Sequence, residues 1–145
     1  MRRRIKEDRG AALVEAALVL PILLLLTLGI WGTARAWNVH NTIDHAAREA
    51  ARYGATEEPW AVGTSDLAVR AVADLELSAS AIDPADVTGC VELIADTQTG
   101  ACGLLNSSGT DQVYVRLLFP DYPIQFLFFE LTVDLESTAV ARHES

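Results

Sequence analysis

The chain has 145 residues, of which 50% are hydrophobic, and its formal net charge is −9. This length allows one small domain together with a membrane anchor, and the hydrophobic residues are concentrated in residues 1–37. Binding to nucleic acid requires clustered Lys and Arg, and the arginines beyond the N-terminal region are scattered, so we expect no nucleic-acid partner.

The first ten residues differ in charge from the rest of the chain. They are net basic, because acidic residues at positions 7 and 8 are outnumbered by Arg2, Arg3, Arg4, Lys6 and Arg9. Positively charged flanks of a membrane span stay on the cytoplasmic side. We therefore expect residues 1–10 to be a cytoplasmic leader and the acidic remainder to be extracytoplasmic, in a single-pass membrane protein.

An apolar segment follows Gly10, and it has no charged residue from Ala16 to Ala34. A helix of that length spans roughly 28 Å, which is close to the thickness of the hydrocarbon core of a bilayer. The sequence predicts a transmembrane helix over residues 11–34. The segment is longer than the apolar core of a secretory signal, and no small-residue cleavage site precedes Ala34, which disfavours ordinary signal-peptide removal.

Glu15 is the one acidic residue at the start of this apolar segment. A carboxylate deep in a bilayer costs about 2–3 kcal/mol, so a compensating interaction is expected. One interpretation gives Glu15 a role in assembly or processing. The other makes it an interfacial acid that pairs with Arg9 or reaches out to water.

The predicted helix continues beyond the membrane through residues 35–55, where alanines recur at helical spacing. These are Ala46, Ala47, Ala50 and Ala51. Small residues at this spacing allow another element to approach the helix backbone closely. The stripe is explained either by packing against the chain's own domain or by packing against helices of other subunits, with Ala47, Ala50 and Ala51 as the contact residues in either case.

Residues 56–145 have the pattern of a small extracytoplasmic α+β domain. After a linker, a helix is predicted over Asp66–Ala81, with an Arg70–Asp74 pair on one face. The face expected to be buried contains Leu67, Ala68, Ala71, Val72, Leu75 and Ala79. Alternating hydrophobicity predicts an antiparallel sheet of about three strands: Val87–Ala95, Gln112–Phe119 and Leu131–Arg142. Residues Pro120–Pro123 predict a turn, and Ile124–Phe129 fits either a short helix or a loop that fills the core.

The two cysteines, Cys90 and Cys102, lie in the part expected outside the cytoplasm, where a disulfide is permitted. A hairpin turning around Asp96–Gly100 would bring them together, and the bridge would contribute about 3 kcal/mol. Two free thiols are the alternative. A metal site is not expected, because two cysteines without a nearby histidine do not supply four ligands.

No catalytic constellation is apparent in the sequence. His40 and His45 point in different directions on a helix, and His40 and Asp44, which are spaced to pair, fit better as a solvated polar face. No phosphate-binding loop, nucleophile triad or cofactor motif is present. We therefore expect no enzymatic activity and no cofactor; a membrane-tethered hydrolase would need an acid–base pair that the sequence does not offer.

The N-terminal motifs resemble the TadE-like family, small pilin-like proteins of the tight-adherence (Flp-type) pilus machinery. The resemblance rests on Arg9–Glu15, on the Leu-Pro that ends at Pro21, and on Ala46–Ala55, which is similar to the family's AAREGARYA signature. It implies a pilin-like α+β architecture with a long N-terminal helix, and a structural role as a minor pilin or pseudopilin-like subunit in pilus assembly and adhesion.

The resemblance also implies a processing step by a prepilin peptidase, which would cut between Gly10 and Ala11. Glu15 would then pair with the α-amino group of a neighbouring subunit and set the register of assembly. The implied partners are the membrane, other pilin-like subunits, the pilus assembly machinery and the peptidase. The alternative is an extracytoplasmic binding or accessory domain that stays anchored and is never cleaved.

Overall fold

The computed structural model describes residues 4–56, 64–94, 112–126 and 129–142, with side chains from Gly10 onward. In these ranges the chain forms an α+β arrangement, which confirms the predicted fold class. The elements in chain order are α1 (Arg4–Ala55), α2 (Ser65–Ala79), a 3₁₀ turn (Pro84–Asp86), β1 (Thr88–Ile94), β2 (Gln112–Gln125) and β3 (Glu130–Arg142).

Helix α1 is continuous over 52 residues and contains Pro21 in its N-terminal half. Its length is about 78 Å at the usual rise per residue. The predicted helix over Ala11–Ala55 is confirmed, and the helix also includes leader residues from Arg4 onward. Every residue from Gly10 to Thr27 is exposed, and contacts of α1 with the folded domain begin at Gly29 and become continuous beyond Ala36.

The sheet is antiparallel with β2 between β1 and β3. Val115 lies opposite Val91 of β1 and Ala139 of β3. The side chains of Val113, Val115 and Leu117 are fully buried, which confirms the predicted inward face of this strand. Alternate residues of a strand lie on the same face of the sheet, and the apolar face formed in this way packs on α1 and α2.

The predicted turn at Pro120–Pro123 is wrong, because β2 continues to Gln125. The chain forms a bulge instead, with a register shift between Phe119 and Tyr122 and a positive φ of 52° at Asp121. Pairing with β1 ends at Leu118, so among the described residues this edge of β2 has no strand partner beyond that point and tolerates prolines. The Asp121 amide donates to Asp134 Oδ1 at 3.0 Å, which keeps the bulge attached to β3.

The turn that joins β2 to β3 lies at Phe126–Phe129, where the Phe126 amide donates to the Phe129 carbonyl at 2.8 Å. Residues 127 and 128 lie outside the described residues. In its described part, the segment Ile124–Phe129 is therefore neither the short helix nor the core-filling loop that the sequence allowed. Ile124 and Gln125 end β2, and Glu130 begins β3.

The predicted buried face of α2 is also wrong. Leu67 and Leu75 are 66% and 67% exposed, and the helix buries a different stripe: Ser65, Val69, Ala73 and Leu77. Both stripes have helical spacing, so periodicity alone does not choose between them. The buried stripe contains smaller side chains at its centre, which suits a close approach to the alanine stripe of α1.

Arg70 fixes this orientation of α2 against the sheet. Its Nε pairs with Asp74 Oδ1 at 2.8 Å, as predicted, and its Nη2 donates to the Val87 carbonyl at 2.7 Å. The guanidinium lies against Gly89, where an added Cβ would collide with it and would approach Leu117 Cδ2 to 2.6 Å and the Arg116 carbonyl oxygen to 2.9 Å. Glycine at this position of β1 is therefore required by the packing.

Cys90 lies in β1. Cys102 and the predicted turn around Asp96–Gly100 lie outside the described residues. The Cys90–Cys102 disulfide therefore stays a prediction.

Gly89→Ala is expected to lower the free energy of unfolding of the domain by about 1–3 kcal/mol, because backbone and side-chain atoms on β2 must move to admit the methyl group. Thermal unfolding of the full-length protein in detergent micelles, followed by near-ultraviolet circular dichroism, measures the change. Gly10→Ala is the matched control, since a Cβ there meets no atom within 4 Å. Equal unfolding midpoints for the two variants would contradict this account of Gly89.

Candidate functional site: the exposed half of the long helix

The N-terminal half of α1 presents a large apolar surface that the rest of the described chain does not cover. Leu18, Leu26 and Ile30 are 68%, 58% and 68% exposed. The helix is long and apolar enough to cross a membrane, and its most hydrophobic window is not buried at all within the protein. A buried core helix of a soluble domain would be covered, so this surface needs lipid or another apolar surface around it.

The polar side chains near the outer end of this half-helix are satisfied within the helix itself. The Thr27 hydroxyl donates to the Leu23 carbonyl at 2.9 Å, and the Thr33 hydroxyl donates to the Gly29 carbonyl at 3.0 Å. Hydrogen bonds of this kind remove the cost of placing a hydroxyl in hydrocarbon. These two threonines are therefore compatible with a membrane-spanning segment.

Glu15 is exposed, and no residue whose side chain the structure describes forms an ion pair or hydrogen bond with it. The side chain of Arg9, the predicted alternative partner, lies outside the described residues. Towards the domain, the next charged residue is Arg35, roughly 30 Å away along the helix axis. Within the described part of the protein, Glu15 thus has no charge partner.

Gly10 and Ala11 both lie inside α1, and a Cβ added to Gly10 would meet no atom within 4 Å. The helical glycines nearer the domain differ: a Cβ on Gly32 would lie 3.1 Å from Ile124 Cγ2, and one on Gly29 would lie 3.7 Å from Phe126 Cε1. Packing therefore explains Gly32 but does not explain Gly10. A glycine at position 10 lowers the local stability of the helix by about 1 kcal/mol relative to alanine.

The alanine stripe lies in the core of the chain's own domain. Ala47 and Ala50 are 0% exposed and Ala51 is 1% exposed, among side chains of α2 and the sheet. This face of α1 is consequently not available to another subunit in the folded protein. The opposite face of the same stretch is exposed and mostly polar, with Trp37, Asn41, His45, Arg48 and Arg52 at helical spacing.

Asp44 links α1 to β3. Its carboxylate accepts a hydrogen bond from the Ser137 hydroxyl at 2.9 Å and pairs with Arg48 at 2.6 Å. The polar face expected around His40 and Asp44 is therefore partly used in folding. Among the described residues, no group of three or more His, Cys, Asp or Glu side chains is arranged to hold a metal ion.

A groove of about 900 Å³ lies between α1 and the far end of β2. Its α1 wall contains Leu28, Trp31, Gly32 and Arg35, and its β2 wall includes Tyr122 and Ile124. The sequence does not reveal this groove, because Pro120 and Pro123 predict a turn and the alternation of apolar residues that begins at Val113 is broken at Asp121.

Comparison with known protein families identifies the N-terminal segment. Residues 10–52 match the model of a family described as TadE-like protein. This segment is TadE-like. The match begins at Gly10, contains Glu15 and the whole alanine stripe, and ends before α2, which confirms the resemblance seen in the sequence. Searches of curated proteins and of solved structures find no match to the chain.

The TadE-like family implies involvement in the tight-adherence (Tad) pilus system. The long apolar helix that contains this TadE-like segment supports association with a membrane.

Ala47→Leu is expected to destabilise the folded domain by about 1–3 kcal/mol, because the added atoms enter a fully packed contact of α1. The same change at Ala71, which is exposed on α2, is the control and should leave stability within about 0.5 kcal/mol. Thermal unfolding of the full-length protein in micelles compares the two. If Ala47→Leu unfolds at the wild-type temperature, the stripe does not pack as described.

Proposed function

We propose that this TadE-like chain is a minor pilin or pseudopilin-like subunit of a tight-adherence pilus or a related secretion apparatus. Its role is structural, in assembly and adhesion, and involves no catalysis. One observation carries the proposal: within the TadE-like segment, Glu15 has no described charge partner and lies on a half-helix that the chain's own domain leaves uncovered.

The apolar half of α1 has a part in two stages of this role. Before assembly, the apolar half holds the subunit in the membrane, with the basic residues 1–10 on the cytoplasmic side and the domain outside. Trp31 and Trp37 are 70% and 69% exposed near the outer end of the span, where aromatic side chains favour the interface. During assembly, the same apolar surface is free to pack on other pilin-like helices.

Glu15 provides the register for this packing in the proposed mechanism. A prepilin peptidase cuts between Gly10 and Ala11 and creates a cationic α-amino group on Ala11. The amine of one subunit then pairs with Glu15 of its neighbour, which offsets the cost of holding a carboxylate in an apolar environment. A subunit that is out of register leaves this carboxylate unpaired and is disfavoured.

The second candidate is an accessory domain that stays anchored and is never cleaved. The observation that favours it is the continuity of α1 from Arg4 through Gly10 and Ala11, since a helical bond must unwind before a protease cuts it. The two candidates differ in whether the leader remains on the mature chain.

The intact mass of the protein extracted from its native host's membranes is expected to correspond to a chain that begins at Ala11. The leader is removed in the proposed mechanism because the amine of Ala11 is the partner of Glu15. Gly10→Val supplies the control, since a β-branched residue hinders the backbone at the cut and should leave the leader in place. A wild-type chain that still begins at Met1 would favour the anchored accessory domain.

Glu15→Gln is expected to leave membrane insertion intact and to reduce incorporation into pili by roughly 100-fold, because the loss of one partner from an apolar ion pair costs about 3 kcal/mol. Quantitative immunoblotting of sheared pili and of membranes measures both pools. Glu49→Gln is the matched control on the same helix, as Glu49 makes only a long contact of 3.6 Å with Arg52. Equal incorporation of all three chains would argue against a register role for Glu15.

A further inference from the structure

The end of the β2–β3 hairpin packs on a part of α1 that belongs to the apolar span. We use the term hairpin tip for Ile124–Phe126 together with Phe129–Leu131. Ile124 lies against Gly32 and Phe126 lies against Gly29, as the distances to an added Cβ of 3.1 Å and 3.7 Å indicate. The domain therefore does not stop at the outer end of the span but extends along it.

The depth of this contact follows from the position of Arg35. Arg35 is the first charged residue after Glu15, and its guanidinium favours the headgroup region. Gly29 is about 9 Å below Arg35 along the helix axis. Segments that lie in a membrane interface are buried by roughly 5–10 Å, so Phe126 is at the depth of the upper acyl chains when α1 spans the bilayer.

The surface of the hairpin tip fits this environment. Phe129 and Leu131 are 61% and 51% exposed, and Ile30 and Trp31 of the neighbouring span of α1 are 68% and 70% exposed. Phe126 and Phe129 stack with ring centroids 4.6 Å apart. Between Asp121 and Glu130 the sequence contains no charged residue, and the exposed Glu130, which begins β3, is the one charged side chain of the hairpin tip. An apolar surface of this kind is unfavourable in water and favourable among acyl chains.

The backbone of the hairpin tip also suits an apolar environment. The Phe126 amide donates to the Phe129 carbonyl at 2.8 Å, and the pairs Ile124–Leu131 and Gln125–Glu130 continue the ladder. Turns are normally excluded from hydrocarbon because some of their backbone N–H and C=O groups are unpaired. These hydrogen bonds lower that cost for the described part of the turn.

We propose that the hairpin tip inserts into the outer leaflet of the membrane beside α1 and forms a second membrane contact of this chain. The occupant of the apolar surface is lipid, because the tip is continuous with the part of α1 that the bilayer surrounds. This second contact fixes the orientation of the domain relative to the membrane. The inference depends on α1 crossing a bilayer and not on the pilin role, so a chain that is never cleaved tests it equally well.

The test is photo-crosslinking of the full-length protein in phosphatidylcholine vesicles. The photoreactive residue p-benzoylphenylalanine replaces Phe129 in one variant. In the matched control it replaces Val140, which is 53% exposed near the far end of β3, the strand that begins directly after Phe129. A third variant carries it in place of Leu24, which is 49% exposed within the span and reports correct insertion.

Mass spectrometry after irradiation is expected to find lipid adducts at positions 24 and 129 and none above the unirradiated background at position 140. Adducts at position 24 without adducts at position 129 would overturn the proposal. Equal adduct formation at positions 129 and 140 would also overturn it, since the contact would then not be specific to the tip. Crosslinks from position 129 to a second protein chain in place of lipid would show that a protein covers this surface.

Discussion

Close packing on the alanine stripe of α1 is the contact on which the rest of the domain depends. Ala46, Ala47 and Ala50 are fully buried, and α2 and all three strands form the core around them. Small side chains allow the helix backbone to approach these elements closely, so that one helix supports both a second helix and a sheet. Because the stripe begins only beyond the apolar span, the domain is attached to the distal half of α1.

This placement separates the two kinds of surface that the protein needs. The distal half of α1 uses its small residues for folding and keeps a mostly polar outer face. The proximal half keeps its leucines exposed and has Glu15 near its start. A protein that contacts lipid or neighbouring helices through one surface must keep that surface exposed after it has folded.

The hairpin β2–β3 connects the two halves. Val115 and Leu117 of this hairpin lie in the core. Beyond a bulge at Asp121, Ile124 contacts Gly32 and Phe126 contacts Gly29 of the apolar span. The bulge is where the strand leaves β1 and where two prolines become tolerable. Without this extension the domain would contact the membrane through α1 alone, and its tilt relative to the bilayer would be set by one helix.

Features that depend on local pattern are predictable from the sequence: the long helix, the apolar span, the alternating faces of β2 and β3, the α+β class and the TadE-like motifs around Glu15. Each of these follows from periodicity, uninterrupted hydrophobicity or motif spacing, which are readable without a partner. Tertiary structure decided which of two helical stripes α2 buries, because Val69 and Ala73 had to fit the alanine stripe and Arg70 had to reach Val87. Pro120 and Pro123 lie in a strand because pairing with β1 ends before them, and this end is set by the tertiary structure. The need for glycine at position 89 likewise comes from the guanidinium of Arg70, which belongs to another element.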